Sequence, residues 1–240
     1  MPPQVSPLLT RRARLRFALM RVSTAGSLLV IGVALVAAPR ARQAFADAPP
    51  VLSGVQDAIA RALEYTVTLE GNGIYGSGIL VDAQAGHLLT NWHVVSEMSP
   101  PIVLFHDGKR VAGRVLAVDR ALDLALVAVP PRAGPRPVWS DAARLRPGDE
   151  LYAIGCPRHL AFTVSRGIAS FVGREVEGAR WLQTDLPIND GNSGGPVLNS
   201  RGELVGIMTF IYQRSQGLSF ALPSEIARAR YAELKRDAAK

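Results

Sequence analysis

From Tyr65 to Leu222 the chain is cut into short apolar runs stopped by glycine, aspartate or proline, and this spacing limits the folds open to it more than any other feature. Tyr65–Leu69 alternates in polarity, Ile79–Val81 is apolar, and Ile102–Phe105 runs into the turn His106-Asp107-Gly108-Lys109. Val111–Val118 and Leu122–Val129 follow. A stiff, proline-rich connection over 130–137 then interrupts the pattern. It resumes with Glu150–Ile154, Phe162–Ser170, Trp181–Asp185, Pro196–Leu198, Leu204–Tyr212 and Gly217–Leu222. Runs this short, with turn residues between them, predict an all-β body of about twelve strands. Helical spacing occurs only at its two ends. Val55, Ile59 and Leu63 share one face over Gly54–Glu64, and Ala227, Tyr231 and Leu234 share one after Ser224, which is placed to cap a final helix over about 224–237. Lys235, Arg236 and Lys240 suit the negative end of that helix's dipole.

The body has to be held by its apolar core. Cys156 is the only cysteine of the 240 residues, so no intramolecular disulfide can form, and the thiol reads as a partly buried structural group. The formal charge of +7 invites a nucleic-acid partner until its distribution is considered. Residues 1–46 hold seven of the 27 basic residues and no acidic one, leaving 20 basic against 20 acidic in the rest. A neutral body argues against nucleic-acid binding. The basic segment reads instead as an export signal or an uncleaved signal anchor: five arginines, an apolar run of 17 residues from Val22 to Ala38, and Ala44-Phe45-Ala46 as a cleavage site before Asp47. Thr10-Arg11-Arg12-Ala13-Arg14-Leu15-Arg16 is similar to the twin-arginine export motif, with arginine where an aromatic is expected. On either reading the body lies outside the cytoplasm, and the membrane is met only through an uncleaved leader.

The chemistry is concentrated in Gly191-Asn192-Ser193-Gly194-Gly195. A serine nucleophile needs an exposed hydroxyl and backbone N–H groups aimed at the oxyanion it creates, and flanking glycines allow the backbone that close approach. A base and an orienting carboxylate stand upstream, His93 in Thr90-Asn91-Trp92-His93-Val94-Val95 and Asp123 in Asp123-Leu124-Ala125-Leu126. Gly76-Ser77-Gly78-Ile79-Leu80-Val81 precedes them, followed by a short polar loop before the histidine motif. The order His, Asp, Ser is that of chymotrypsin-like enzymes, and not of subtilisins or α/β-hydrolases. On these motifs residues 60–226 resemble a trypsin-like serine protease of the HtrA/Deg type. The stretches 145–155, 163–170, 202–209 and 218–224 add to the likeness.

The resemblance implies two six-stranded antiparallel barrels, about 60–129 and about 138–222, within a protease domain spanning 47–240, with the site in the cleft between them. It implies His93 as general base, Asp123 as its orienting carboxylate, Ser193 as nucleophile, and the N–H groups of Gly191 and Ser193 as oxyanion donors. Ile188, Met208, Thr209 and Phe210 would line a shallow apolar pocket. Counting back six residues from Ser193 reaches uncharged Pro187, so cleavage is expected after Val, Ala, Ile or Leu. HtrA proteins usually continue into PDZ domains, for which this sequence leaves no room. Asp119 is expected to form a surface salt bridge, and His87, His106 and His159 to be surface residues. Four scattered histidines and one cysteine have no metal-ligand spacing, and no cofactor is expected. The partners implied are polypeptide substrates, with a homo-oligomer left open. Two functions remain: an exported serine endopeptidase acting on unfolded or damaged proteins, and a latent or non-proteolytic chaperone or binding module on the same fold.

Overall fold

In a computed structural model, the described residues are 54–187, 189–211 and 217–239, so the leader, Ile188 and the segment 212–216 lie outside them. Among the described residues no helix is long and apolar enough to cross a membrane. The first helix, α1 (Val55–Tyr65), buries Ala58, Ala62 and Tyr65. Thr66 closes it by donating from Oγ1 to the Ala62 carbonyl at 2.7 Å. The chain then enters β1 (Thr66–Gly71), β2 (Ile74–Asp82), β3 (His87–Thr90), a single turn α2 (Trp92–Val95), β4 (Ile102–Phe105), β5 (Arg110–Ala112), β6 (Arg114–Asp119) and β7 (Leu124–Ala128).

These strands form one antiparallel sheet in the order β5-β4-β1-β2-β3-β7-β6. Its two edges are consecutive in the chain, because only Gly113 separates β5 from β6. A single bent run therefore pairs with β4 before the glycine and with β7 after it, which curls the sheet back on itself. Glycine is needed at the bend: a Cβ there would lie 2.9 Å from Val127 Cγ1 and 3.3 Å from Val103 Cγ2. The first half is thus a curled sheet of six chain runs cut into seven strands.

The connection over 130–137 is laid along this half by two arginines. Arg132 lies over the Phe105 ring at 3.9 Å and pairs with Asp107 at 2.6 Å, and Arg136 reaches Asp82 at 3.2 Å. Beyond it, β8 (Glu150–Gly155), β9 (Thr163–Val176), β10 (Ala179–Thr184), β11 (Pro196–Asn199), β12 (Leu204–Ile211) and β13 (Ser219–Pro223) close into a barrel, β10-β13-β12-β11-β8-β9. The strand expected to stop near Ser170 runs on to Val176. It turns through Glu177-Gly178, both at positive φ, as a tight hairpin requires. Leu151, Leu182, Leu186, Val197, Met208 and Ala221 fill this barrel. The larger core cluster joins the first sheet to the last helix, α3 (Ser224–Asp237), through Ala227 and Leu234. Ser224 is the first residue of α3 and does not cap it, since its hydroxyl donates to the Ser140 carbonyl at 2.5 Å.

Candidate active site

His93 leaves the end of β3 on the short turn α2, entered from an extended Asn91. Asp123 stands immediately before β7 in the left-handed region, at φ 50°. A non-glycine residue there costs about 1–3 kcal/mol and persists only when its surroundings fix it. They do: the Asp123 carbonyl accepts from Trp92 N–H at 3.2 Å and from Asn91 Nδ2 at 2.8 Å. Its carboxylate takes the backbone N–H of His93 on Oδ1 at 2.9 Å and meets His93 Nδ1 on Oδ2 at 2.5 Å. An ionised carboxylate only accepts, so the ring donates from Nδ1, and in the neutral imidazole Nε2 then keeps its lone pair. The imidazole remains 47% exposed, which leaves that nitrogen reachable.

Ser193 comes from the other barrel, on the loop between β10 and β11. Its hydroxyl donates to the Thr209 carbonyl at 3.2 Å, and among the described hydrogen bonds none joins it to His93. Thr209 sits at a register shift between β12 and β13, and Asn91 Nδ2 also approaches its hydroxyl at 3.4 Å. Asn91, fully buried, thus touches both the aspartate of one half and the strand that holds the serine in the other.

Around Ser193 each successive carbonyl is occupied. Asp190 O accepts from Arg158 N at 3.0 Å and Gly191 O from Ser77 Oγ at 2.7 Å. Asn192 O accepts from Gly195 N at 3.1 Å and Ser193 O from Ser77 N at 2.8 Å. The N–H groups of Gly191 and Ser193 donate to no described residue. Gly191 has φ 103° and Gly194 φ 86°, values at which a side chain would be strained. A Cβ on Gly194 would also run into the Ser77 carbonyl and the Thr90 hydroxyl.

The remaining candidates are placed as follows. Asp119 pairs with Arg230 at 2.5 Å and accepts from Leu122 N–H, away from His93. His106 and His159 are exposed, each edge-on to an aromatic ring, Phe162 and Tyr75. His87 is not a surface residue: half-buried, it bonds Tyr231 at 2.9 Å, and burial holds its pKa below the ordinary value. Cys156 is buried, with its thiol pKa pushed up by burial. Of the expected pocket residues, Ile188 is outside the described set. Met208 is fully buried among the residues filling the second barrel, so its side chain is core and not a pocket wall. The bulge at Thr209 upsets the strand's alternation, and the Thr209 side chain turns inward to donate to Ile207 O at 2.9 Å. Phe210 is half-buried between Trp181 and Phe220. Sequence reasoning gave no role to Ser77, Asn91 or the Thr209 carbonyl. The first two lie inside stretches it did single out, whereas a backbone carbonyl has no sequence signal.

Among the described residues no cluster of His, Cys, Asp or Glu could hold a metal ion. Residues 76–207 match the family model for the trypsin-like peptidase domain. HhoA of Synechocystis, named as a serine protease, is 40% identical over 163 residues, covering 64% of this chain and 41% of the relative. The periplasmic pH-dependent serine endoprotease DegQ of Escherichia coli is 38% identical over 161 residues, 64% of this chain and 35% of its own. The chain spans about two fifths or less of the length of these curated relatives. A serine endoprotease from Yersinia pestis superposes with a TM-score of 0.71 at 32% identity, over 78% of this chain and 68% of that one. The HtrA-type protease AlgW with a tripeptide gives 0.72 at 31% identity, over 76% and 64%. With more than half of its length matched by one family model, and with neighbours of the HtrA and Deg types, this chain belongs to the trypsin-like peptidase domain family.

Proposed function

We propose that the chain is a serine endopeptidase that cleaves exported, unfolded or damaged polypeptides through an acyl-enzyme. The observation that carries this reading is the grip of Asp123 on His93, which takes both the backbone and the ring N–H of one residue and leaves Nε2 free. In the first step Ser193 Oγ turns from the Thr209 carbonyl to His93 Nε2, gives up its proton there and attacks the peptide carbonyl carbon. The carbonyl π electrons move onto oxygen, and that oxyanion is met by the N–H groups of Gly191 and Ser193. His93, now a cation stabilised by Asp123, returns the proton to the departing amine as the C–N bond breaks. Water, deprotonated by His93, then bonds to the acyl carbon, and as the acyl C–Oγ bond breaks His93 returns the proton to Ser193 Oγ, releasing the carboxylic acid. Preorganised N–H donors of this kind contribute about 10²–10³ in kcat each.

An exported setting is supported by the arginine-rich leader and by relatives named as periplasmic endoproteases. If Ala44-Phe45-Ala46 is the processing site, the mature chain begins at Asp47. The purified protein should degrade casein, and Ser193→Ala should abolish the turnover. Equal turnover by the two proteins would overturn the reading. A latent or purely binding role draws support from one observation, the Ser193 hydroxyl resting on Thr209 instead of His93. It predicts no turnover by the wild type alone; a latent enzyme gains turnover when a peptide activator is supplied, and a purely binding module does not.

A further inference from the structure

Gly76-Ser77-Gly78 has no part in the chemistry above, yet Ser77 is fully buried on β2 and faces the other barrel's nucleophile loop. Its N–H donates to Ser193 O at 2.8 Å. Its hydroxyl donates to Gly191 O at 2.7 Å and accepts from Cys156 N–H at 3.0 Å. Its own carbonyl is fixed by the Thr90 hydroxyl at 2.7 Å, at the end of the strand that delivers His93. Two of the four consecutive carbonyls from Asp190 to Ser193 are therefore held by one residue from the opposite half. The flanking glycines are required by packing within the first half. A Cβ at position 76 would collide with Val94, and one at 78 would press on Val67, Leu69 and Leu88 at 3.1–3.2 Å.

We propose that Ser77 is a positioning residue that sets the nucleophile loop from across the cleft, so that the Gly191 and Ser193 N–H groups face the oxyanion. The proposal rests on the protease reading and names a part of its machinery which the sequence motifs do not. Its physical content lies in the hydroxyl. Without it, Gly191 O keeps only the Cys156 N–H at 3.3 Å, and these two groups can close directly on each other. That movement draws the loop toward Cys156 and displaces Gly191 N–H. A shift of about 1 Å in a reacting group costs about 10²-fold in rate.

The test uses the full chain with Ser77→Ala and Ser77→Cys. The alanine variant removes the bond at little change in volume, whereas cysteine keeps the bulk with a weak donor. The probes are a fluorogenic peptide with valine before the scissile bond, the matching peptide boronic acid, whose adduct with a serine is tetrahedral, and the matching peptide amide. Ser77→Ala should lower kcat about 10- to 100-fold with KM changed less than about twofold. It should weaken the boronate by a similar factor and leave inhibition by the amide unchanged. Ser77→Cys should fall between alanine and wild type, and it carries the test if the alanine variant does not fold. Unchanged kcat in Ser77→Ala, or full activity in Ser77→Cys beside a loss in Ser77→Ala, would overturn the proposal, the second outcome marking a packing role. Failure of the protease reading looks different: wild type and Ser193→Ala would then process the peptide equally. In that event amide exchange over 189–195 decides, faster in Ser77→Ala if the latch is real and unchanged if it is not.

Discussion

Ser193 Oγ rests on the Thr209 carbonyl at 3.2 Å, while His93 is already locked to Asp123 at 2.5 Å. On the proposed mechanism the base is assembled before substrate arrives, and Ser193 exchanges the Thr209 carbonyl for His93 Nε2 as it reacts. Residues that act as a unit give non-additive losses. Ser193→Ala and His93→Ala should each lower kcat by about 10⁴-fold or more, and the double variant should be little worse than either. Single-turnover rates on a peptide ester would reveal a second, independent loss if the two do not act together. Specificity also belongs to single residues. With uncharged Pro187 six positions before the serine and Phe210 proposed as a pocket residue, an unpaired substrate lysine would be costly to bury, whereas each buried methylene contributes about 0.8 kcal/mol. Cuts in a denatured protein, read by mass spectrometry, should fall after Val, Ala, Ile or Leu. A majority after Lys or Arg would place a carboxylate in the pocket that this register does not contain.

Among the elements, the bent run β5-Gly113-β6 decides whether the first half closes. Gly113→Ala puts a methyl 2.9 Å from Val127 and 3.3 Å from Val103, and overpacking of this kind costs about 1–3 kcal/mol. Urea unfolding should register it as a lower midpoint, and an unchanged midpoint would mean that the bend has slack. The β11–β12 hairpin carries a pH signature. Glu203 accepts from Arg201 and from Asn199 Nδ2 at 2.7 Å, and these bonds, Arg201's first, lower its pKa from 4.5 to about 2. Its contribution is therefore complete above about pH 4.5 and is lost as pH falls toward 2. Glu203→Gln should flatten the melting-temperature profile across that window, with its full loss at neutral pH and little difference from wild type near pH 2. Most of the strands, and both terminal helices, could be read from periodicity because each buries one regular face. Met208 could not be assigned that way. The shift at Thr209 breaks the alternation by which a strand's inward residues are read. The residues proposed as the triad stood out because that chemistry restricts residue types, whereas the Thr209 carbonyl holding Ser193 belongs to the backbone and leaves no trace in the sequence.

At the scale of the whole molecule, His93 and Asp123 belong to the first half and Ser193 to the second, so the site exists only while the halves keep register. Ser77 and Asn91 bridge them at the site, and α3 bridges them behind it. That helix continues directly from β13 of the second barrel, yet it packs on β6 and β7 of the first as well as on β12. Arg230 pairs with Asp119 there, and Tyr231 bonds His87. Leu234, 1% exposed, sits in the core cluster shared by both halves. Truncating a buried leucine to alanine costs about 2–5 kcal/mol. In a domain of this size each kcal/mol lowers Tm by about 2–4 °C. Leu234→Ala should therefore lower Tm by roughly 4–20 °C. The loss should appear as one transition, with near-UV circular dichroism and activity disappearing together, because the helix belongs to both halves. Two separated transitions, with the first half melting ahead of the second, would show that the halves fold independently.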